Sequence, residues 1–130
     1  MNRTFVALDL ETTGLDPRRD SIIEIGAVRF RTSSPNGSVE AQVLETWSQF
    51  VNPGRPIPIQ IQKLTGISHE QVSQAPRFSQ LIGELGRFVD SYPIVGHNIS
   101  FDLSFLRNQG LPLSNLAIDT FEMAGILLPH

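Results

Sequence analysis

The sequence of 130 residues contains no cysteine, which excludes disulfide bonds and thiolate metal sites. It has no apolar run as long as a membrane span, and its N-terminus lacks the basic-then-apolar pattern of a signal peptide. An excess of positive charge is also missing, since the formal net charge at pH 7 is −3. We therefore expect a cytoplasmic protein with no membrane partner and no overall electrostatic attraction to nucleic acid.

The composition that remains is typical of a globular protein. Hydrophobic residues make up 40% of the chain and charged residues 18%, so there is enough apolar material for a core and too little charge for disorder. A chain of this length predicts a single domain over residues 1–130.

Three strands are predicted in the first part of the chain, over Thr4–Leu10, Ile22–Arg31 and about Ala41–Val51. Turn-forming segments separate them: ETTGLDPRRD, and then SSPNGS, which is centred on Asn36 and Gly37. Because short turns join neighbouring antiparallel strands, this part of the chain predicts a three-stranded antiparallel meander.

The pattern then changes to helices that alternate with short strands. Helical segments are predicted at Ile59–Leu64, in a turn capped by Ser68 with Gln71, at Arg77–Ser91, at Asn98–Asn108, and at Met123–Leu128 after a possible capping box of Asp119 with Glu122. Short strands are predicted in PIVGH and at Asn115–Ile118. This order predicts an α/β fold, a mixed sheet of three antiparallel strands and then parallel βαβ units with flanking helices.

Acidic side chains interrupt this apolar framework. Asp9 and Glu11 lie two residues apart in the first strand, so their carboxylates face the same side and repel each other. Asp102 comes one turn into a helix that follows a buried strand, and it faces the other two if the first and fourth strands are neighbours. Such a set of oxygens suits Mg²⁺ or Mn²⁺. Two such ions about 3.5–4 Å apart can bind the attacking and leaving oxygens of a phosphodiester.

Each acidic residue also has a simpler interpretation. An Asp-x-Glu pair at a strand end is common in solvated loops, and Asp102 alone is compatible with a helix surface. Glu24, in the apolar segment IIEIGAV, is interpreted as a hydrogen-bonded structural residue, and Asp119 as a helix N-cap.

Four motifs occur in order along the chain: LDLETTGLD, IIEIGAVRF, LTGIS and VGHNISFDLSFLR. Together they resemble the DEDD (DEDDh-type) 3′–5′ exonucleases of the DnaQ-like superfamily, and the resemblance covers essentially the whole chain. The arrangement is similar to the exonuclease domains of DNA polymerase III proofreading subunits and of DinG-type helicases. The resemblance implies an RNase H-like fold and metal-dependent hydrolysis at single-stranded DNA 3′ ends, in DNA replication or repair.

The resemblance also implies roles for individual residues. The catalytic residues and ligands of a two-metal site, holding Mg²⁺ or Mn²⁺, would be Asp9, Glu11 and Asp102. The substrate-binding residues would be Thr12, Thr13, Gly14, Leu15, Thr65, His97, Asn98 and Phe101. Thr12 and Thr13 would offer hydroxyl and amide groups to the 3′-terminal nucleotide. Leu15 and Thr65 would border the same pocket, although plain turn and packing roles are the alternative for both. His97 would support the site instead of acting as its base.

One motif of the family has no match. It is a histidine followed five residues later by an aspartate, which supply the general base and a metal ligand from a C-terminal helix. His69 is followed at that spacing by Gln74, and His130 is the last residue. His97 is followed by Asp102, which belongs to the second motif. We therefore expect a domain incomplete at its C-terminus, part of a longer protein or else degenerate. Alone it should be poorly stable and inactive or weak, because a positioned base typically contributes roughly 10²–10⁴-fold.

Two alternatives to a DNA exonuclease remain open. RNA 3′ ends are one possible substrate, since nothing in the sequence clearly reads the 2′-hydroxyl. The other alternative is a non-catalytic module that binds nucleic acid or protein through Arg18, Arg19 and Thr12–Leu15. A polymerase or a helicase, in the same or another chain, is the expected partner.

Overall fold

The computed structural model describes residues 2–120. Its strands are β1 (Arg3–Thr12), β2 (Ile22–Ser33), β3 (Glu40–Phe50), β4 (Ile94–Gly96) and β5 (Ala117–Asp119), and its helices are α1 (Ile59–Thr65), α2 (His69–Ser73), α3 (Ile82–Val89) and α4 (Ile99–Asn108). The strands form one five-stranded sheet in the order β3-β2-β1-β4-β5. The first three strands pair antiparallel, whereas β4 is parallel to β1 and β5 is parallel to β4. The predicted mixed α/β sheet is therefore confirmed.

Local signals in the sequence account for most element boundaries. Asn36 and Gly37 both have positive φ, 56° and 82°, in the turn between β2 and β3, as an Asn-Gly hairpin turn requires. Gly66 ends α1 in a left-handed conformation with φ 75°. The predicted capping box of Ser68 and Gln71 is present at the start of α2. The helix predicted at Met123–Leu128 lies outside the described residues.

The single helix predicted over Arg77–Ser91 is wrong. A 3-10 turn at Phe78–Gln80 comes first, and α3 occupies only Ile82–Val89. In a 3-10 turn, as in an α-helix, residues three apart lie on the same side. The spacing of the apolar residues Phe78 and Leu81 is therefore compatible with either structure.

The two faces of the sheet differ in their covering, because alternate side chains of a strand point to opposite faces. One face packs against α3 and α4 in a continuous core whose members are buried: Val6, Leu8, Leu10, Ile25, Ala27, Ile94, Leu85, Phe88, Val89, Phe105 and Leu106. The side chains of the other face are half-buried within residues 2–120: Phe5, Ala7, Val28, Phe30, Val95 and Ile118. Asp9 lies at the border of a groove of about 370 Å³ along that second face.

A smaller second core holds α1 and α2 against one end of the sheet. A β-bulge between Glu11 and Thr12 shifts the strand register, so Thr12 pairs with Ile22 and Ile23 is the extra residue. Ile22 and Ile23 are consequently both buried, but in different cores. The second core consists of Ile23, Ile57, Ile67 and Val72. The bulge therefore brings α1 beside the end of β1 that carries the acidic pair.

No helix within residues 2–120 is long and apolar enough to cross a membrane.

Candidate active site

Asp9 and Glu11 lie near the C-terminal end of β1, which is the central strand of the sheet. Their cross-strand partners on β2 are Gly26 and Glu24. Asp9 is exposed and Glu11 is half-buried. Because the two positions are separated by one residue of a strand, both carboxylates are on the same face, as the sequence predicts.

Asp102 reaches the same end of the sheet from α4. Because β4 is the neighbour of β1, the helix that follows β4 starts beside the end of β1. The buried positions of α4 recur at helical spacing and include Asp102, of which only 4% is exposed. Its Oδ2 atom is buried and has no hydrogen-bond partner. A buried carboxylate oxygen without a donor is unfavourable unless a cation or a proton compensates it.

The charges of nearby carboxylates act on both Asp102 and Glu11. Burial, and then the charges of Asp9, Glu11 and Asp119, raise the pKa of Asp102 from its ordinary 3.8 to about 7. Burial, and then Asp9 and Glu24, raise the pKa of Glu11. Arg19 pairs with Asp16 and Arg29 pairs with Glu45, and neither pair includes Asp9, Glu11 or Asp102.

These properties fit a divalent cation. Hard cations such as Mg²⁺ and Mn²⁺ take carboxylate oxygens, and their charge would offset both the burial and the repulsion that raise these pKa values. In the described part of the chain, no three acidic or histidine side chains already form a ready ligand set. A bound cation would therefore have to draw Asp9, Glu11 and Asp102 closer together.

Gly96 allows α4 to start close to β1. A Cβ atom at this position would lie 2.7 Å from Ile99 Cδ1 and 2.9 Å from the carbonyl oxygen of Leu8, so no larger residue fits without displacing the helix. Leu8 precedes Asp9, and Ile99 lies three residues before Asp102. The close approach at Gly96 therefore helps to set the distance between the two halves of the site.

Asp119 has a place in the site that its sequence pattern did not reveal. It ends β5, and its carboxylate accepts hydrogen bonds from the backbone N–H groups of Asn98 at 3.0 Å and Ile99 at 3.2 Å. Glu122, its partner in the predicted capping box, lies outside the described residues. Within those residues Asp119 caps α4, a helix that precedes it in the sequence.

A pocket of about 210 Å³ adjoins Glu11. Five of the predicted substrate-binding residues line it, together with Glu11: Thr12, Gly14, Leu15, Thr65 and Phe101. The remaining lining residues, which the sequence did not suggest, are Leu10, Ile61 and Leu64. Leu15 and Leu64 are 84% and 82% exposed at the pocket. One feature of the sequence could have identified Leu64 as a pocket residue: it is apolar and comes directly before Thr65 and Gly66, at the end of a short helix.

Three other predicted residues do not line this pocket. His97 and Asn98 are exposed in the turn between β4 and α4, where Asn98 has a left-handed backbone with φ 54°. Thr13 is buried, and its hydroxyl donates to Asp20 Oδ1 at 3.1 Å while accepting from the N–H of Ser21 at 3.0 Å. The described contacts of Thr13 are therefore internal to the loop.

The hydroxyl groups of the two pocket threonines also donate inside the protein. Thr12 Oγ1 donates to the carbonyl oxygen of Gly14 at 2.7 Å, and Thr65 Oγ1 donates to that of Ile61 at 2.7 Å. Thr65 Oγ1 also accepts from the N–H of Ile67 at 3.2 Å, so both hydroxyl groups help to hold the loop or helix end in shape.

Comparison with known proteins places this chain in a family. A model of the RNase_T family, described as Exonuclease, matches residues 6–122. The chain is 34% identical over 130 residues to the DNA polymerase III subunit epsilon of Treponema pallidum (strain Nichols), which covers 96% of the chain and 57% of that protein. It is 37% identical over 131 residues to the 3′-5′ exonuclease DinG of Bacillus subtilis (strain 168), covering 96% of the chain and 13% of that protein. The chain thus spans less than two thirds of the length of these relatives.

The structure of exonuclease X in complex with 5′ overhanging duplex DNA superposes with a TM-score of 0.70 at 27% identity, over 96% of this chain and 64% of that one.

Proposed function

Because the chain belongs to this exonuclease family, we propose that its acidic site binds Mg²⁺ or Mn²⁺ and serves the hydrolysis of phosphodiester bonds at the 3′ ends of single-stranded DNA. The observation that carries the proposal is the buried, unpartnered Oδ2 of Asp102 beside the carboxylates of Asp9 and Glu11. A protein gains nothing from such an arrangement by itself, since burial and repulsion both oppose it.

The three carboxylates would hold the ions through deprotonated oxygens. A bound pair of divalent ions would supply activation of the attacking water and stabilisation of the leaving 3′ oxygen. Asp9 and Glu11 would contribute from β1 and Asp102 from α4. The raised pKa of Asp102 means that cation and proton compete for the same oxygen, so tight binding requires loss of that proton.

The pocket beside Glu11 suits an unpaired terminal nucleotide. Its rim carries the exposed side chains of Leu15 and Leu64, and Phe101 lines its wall. Apolar side chains pack against the face of any base, so this pocket would bind without regard to sequence. A paired base would keep its own stacking partners, which favours a single-stranded end as the substrate.

No residue of this chain is assigned as general base. The only histidine followed five residues later by an aspartate is His97, and that aspartate is Asp102. A second candidate function is a module that binds DNA ends without cleaving them, and the exposed leucines of the pocket beside Glu11 favour it because they can hold a base without any cation. The similarity to a DNA polymerase III subunit supports DNA over RNA, and supports a polymerase or helicase as partner.

The proposal is tested with a 5′-labelled single-stranded oligonucleotide, the full-length protein and Mn²⁺. We expect stepwise shortening from the 3′ end that stops with EDTA and in Asp9→Ala. Glu40→Ala, which removes an exposed acid far from the site, is the matched control and should shorten the oligonucleotide like wild type. Equal shortening by wild type and Asp9→Ala contradicts the assigned metal site. Binding without shortening, lost in Leu15→Ser, favours the binding module, and faster cleavage of a matched RNA contradicts the DNA preference.

A further inference from the structure

The start of α4 is capped by a residue from the edge of the sheet. Asp119 lies 20 residues after Ile99, yet both oxygens of its carboxylate accept hydrogen bonds from the first two free N–H groups of the helix. Oδ1 accepts from Asn98 at 3.0 Å and Oδ2 accepts from Ile99 at 3.2 Å. Asn98 occupies the N-cap position but makes no side-chain cap of its own. Asp119 therefore replaces the local cap that this helix lacks.

The backbone around this cap does not hold the helix in place by itself. Asn98 has φ 54° and ψ 50°, a left-handed conformation that costs most residues other than glycine free energy and that asparagine tolerates better than most. A strained residue of this kind persists where surrounding contacts determine it. The contacts here are the carboxylate of Asp119 on one side and the close approach of Gly96 to Ile99 and Leu8 on the other.

The direction of Asp102 depends on the same first turn. Asp102 lies three residues after Ile99 on the buried face of α4, where 4% exposure leaves it little freedom to adjust. A rotation or shift of the helix start would carry the Asp102 carboxylate away from Asp9. Two hydrogen bonds to consecutive N–H groups oppose such a rotation better than one, because they fix the helix start in two places.

We propose that Asp119 is a positioning residue of the cation site, which clamps the first turn of α4 so that the Asp102 carboxylate meets Asp9 and Glu11. The clamp connects β5 with the start of α4, which are distant in the sequence. Pairing of β5 with β4 brings them together, because Asp119 is the strand partner of Gly96. This inference rests on the proposed function, in which those carboxylates bind Mg²⁺ or Mn²⁺.

The test measures Mn²⁺ binding to the full-length protein by titration calorimetry, without DNA. Asp119→Asn keeps the size of the side chain but replaces one accepting oxygen with a donor that opposes the N–H of Ile99. We expect its Mn²⁺ affinity to fall roughly 10–100-fold, the usual range for residues that orient metal ligands. Asp119→Ser, which is smaller and keeps a single accepting group, should show the same loss and is the second variant if Asn does not fold.

A purely structural cap would behave differently, and Ser68→Ala is the matched control for it. Ser68 accepts from the N–H of Gln71 at 3.2 Å at the start of α2, so its removal also deletes a helix cap. We expect Ser68→Ala to lower the Tm as Asp119→Asn does, while Mn²⁺ affinity stays within twofold of wild type. In single-stranded DNA cleavage, Asp119→Asn should lower kcat and leave KM nearly unchanged, because Asp119 does not line the nucleotide pocket.

The outcomes separate this inference from the function beneath it. If wild type binds Mn²⁺ and Asp9→Ala does not, but Asp119→Asn binds as tightly as wild type, Asp119 is only a helix cap and the inference is overturned. If wild type does not bind Mn²⁺, or if Asp9→Ala binds it as tightly as wild type, the proposed cation site is wrong. The proposed role of Asp119 is then wrong as well.

Discussion

Glu11 of β1 and Glu24 of β2 stand directly opposite each other in the antiparallel register. Cross-strand partners share a face, so two carboxylates meet there side by side. After burial and Asp9, the charge of Glu24 contributes to the raised pKa of Glu11. Within residues 2–120 Glu24 makes no side-chain hydrogen bond, so the interpretation of Glu24 as a hydrogen-bonded structural residue is wrong. Its position extends the negative charge of the proposed cation site.

Removing the charge of Glu24 should stabilise the metal-free protein. In EDTA we expect Glu24→Gln to raise the free energy of unfolding by about 0.2–1 kcal/mol, because like charges opposite each other destabilise a strand pair. Urea unfolding measures this change. The same substitution at Glu45, whose carboxylate is 2.9 Å from Arg29, should have the opposite sign. A loss of stability in both variants would show that the Glu11–Glu24 repulsion is negligible.

The raised pKa of Asp102 predicts a pH dependence of stability. Its folded pKa of about 7 exceeds its ordinary 3.8, so the folded state holds this proton more tightly than the unfolded state. The resulting stabilisation is fully present below about pH 4 and is lost as the pH rises through about 7. In EDTA, thermal unfolding of Asp102→Asn should lack this component, whereas Glu40→Gln should retain it. Identical pH profiles for wild type and Asp102→Asn would contradict the prediction.

Only glycine fits at position 14, because the side chain of Asp20 lies close to it. A Cβ atom at residue 14 would lie 2.6 Å from the carboxylate carbon of Asp20 and 2.7 Å from its Oδ1. That carboxylate accepts from Thr13 Oγ1 and from the N–H of Asp16, so it cannot move aside without losing hydrogen bonds. We expect Gly14→Ala to cost about 1–3 kcal/mol in urea unfolding and to weaken binding of single-stranded DNA.

The control for Gly14 is Gly86→Ala in α3. There the nearest atom to the added Cβ is Leu111 Cδ1 at 3.8 Å, an ordinary contact, so the higher helix propensity of alanine should leave stability unchanged or raise it by up to about 1 kcal/mol. Equal losses in the two variants would mean that the clash with Asp20 is not the cause.

Leu15 and Leu64 should matter for substrate and not for stability. Both are more than four fifths exposed, 84% and 82%, so replacing either with serine should change the free energy of unfolding by less than about 0.5 kcal/mol. Each serine variant should lose an apolar contact with a base, and that contact contributes about 1 kcal/mol to binding. The KM for a single-stranded oligonucleotide should therefore rise roughly fivefold. Leu116→Ser, 64% exposed outside the pocket, should leave KM unchanged. An unchanged KM in all three variants would remove the pocket from substrate binding.

Local sequence patterns predicted much of the fold, and the sequence motifs predicted the family. The alternation in β1 and the helical spacing in α4 predicted the faces on which Asp9 and Asp102 lie, and the family match confirms the resemblance to DnaQ-like exonucleases. The errors have local causes as well. The apolar spacing after Arg77 does not distinguish a 3-10 turn from an α-helix, and the apolar segment around Glu24 did not show that Glu11 would stand opposite it.

By itself the sequence determined which residues carry negative charge and on which side of a strand or helix they lie, because both depend on a repeat of two or about 3.6 residues. The tertiary structure alone decided that β4 lies beside β1, that Asp102 is buried without a partner, and that Asp119 clamps a helix 20 residues before it. Strand pairing and desolvation depend on residues that are distant in the chain, so no local repeat encodes them.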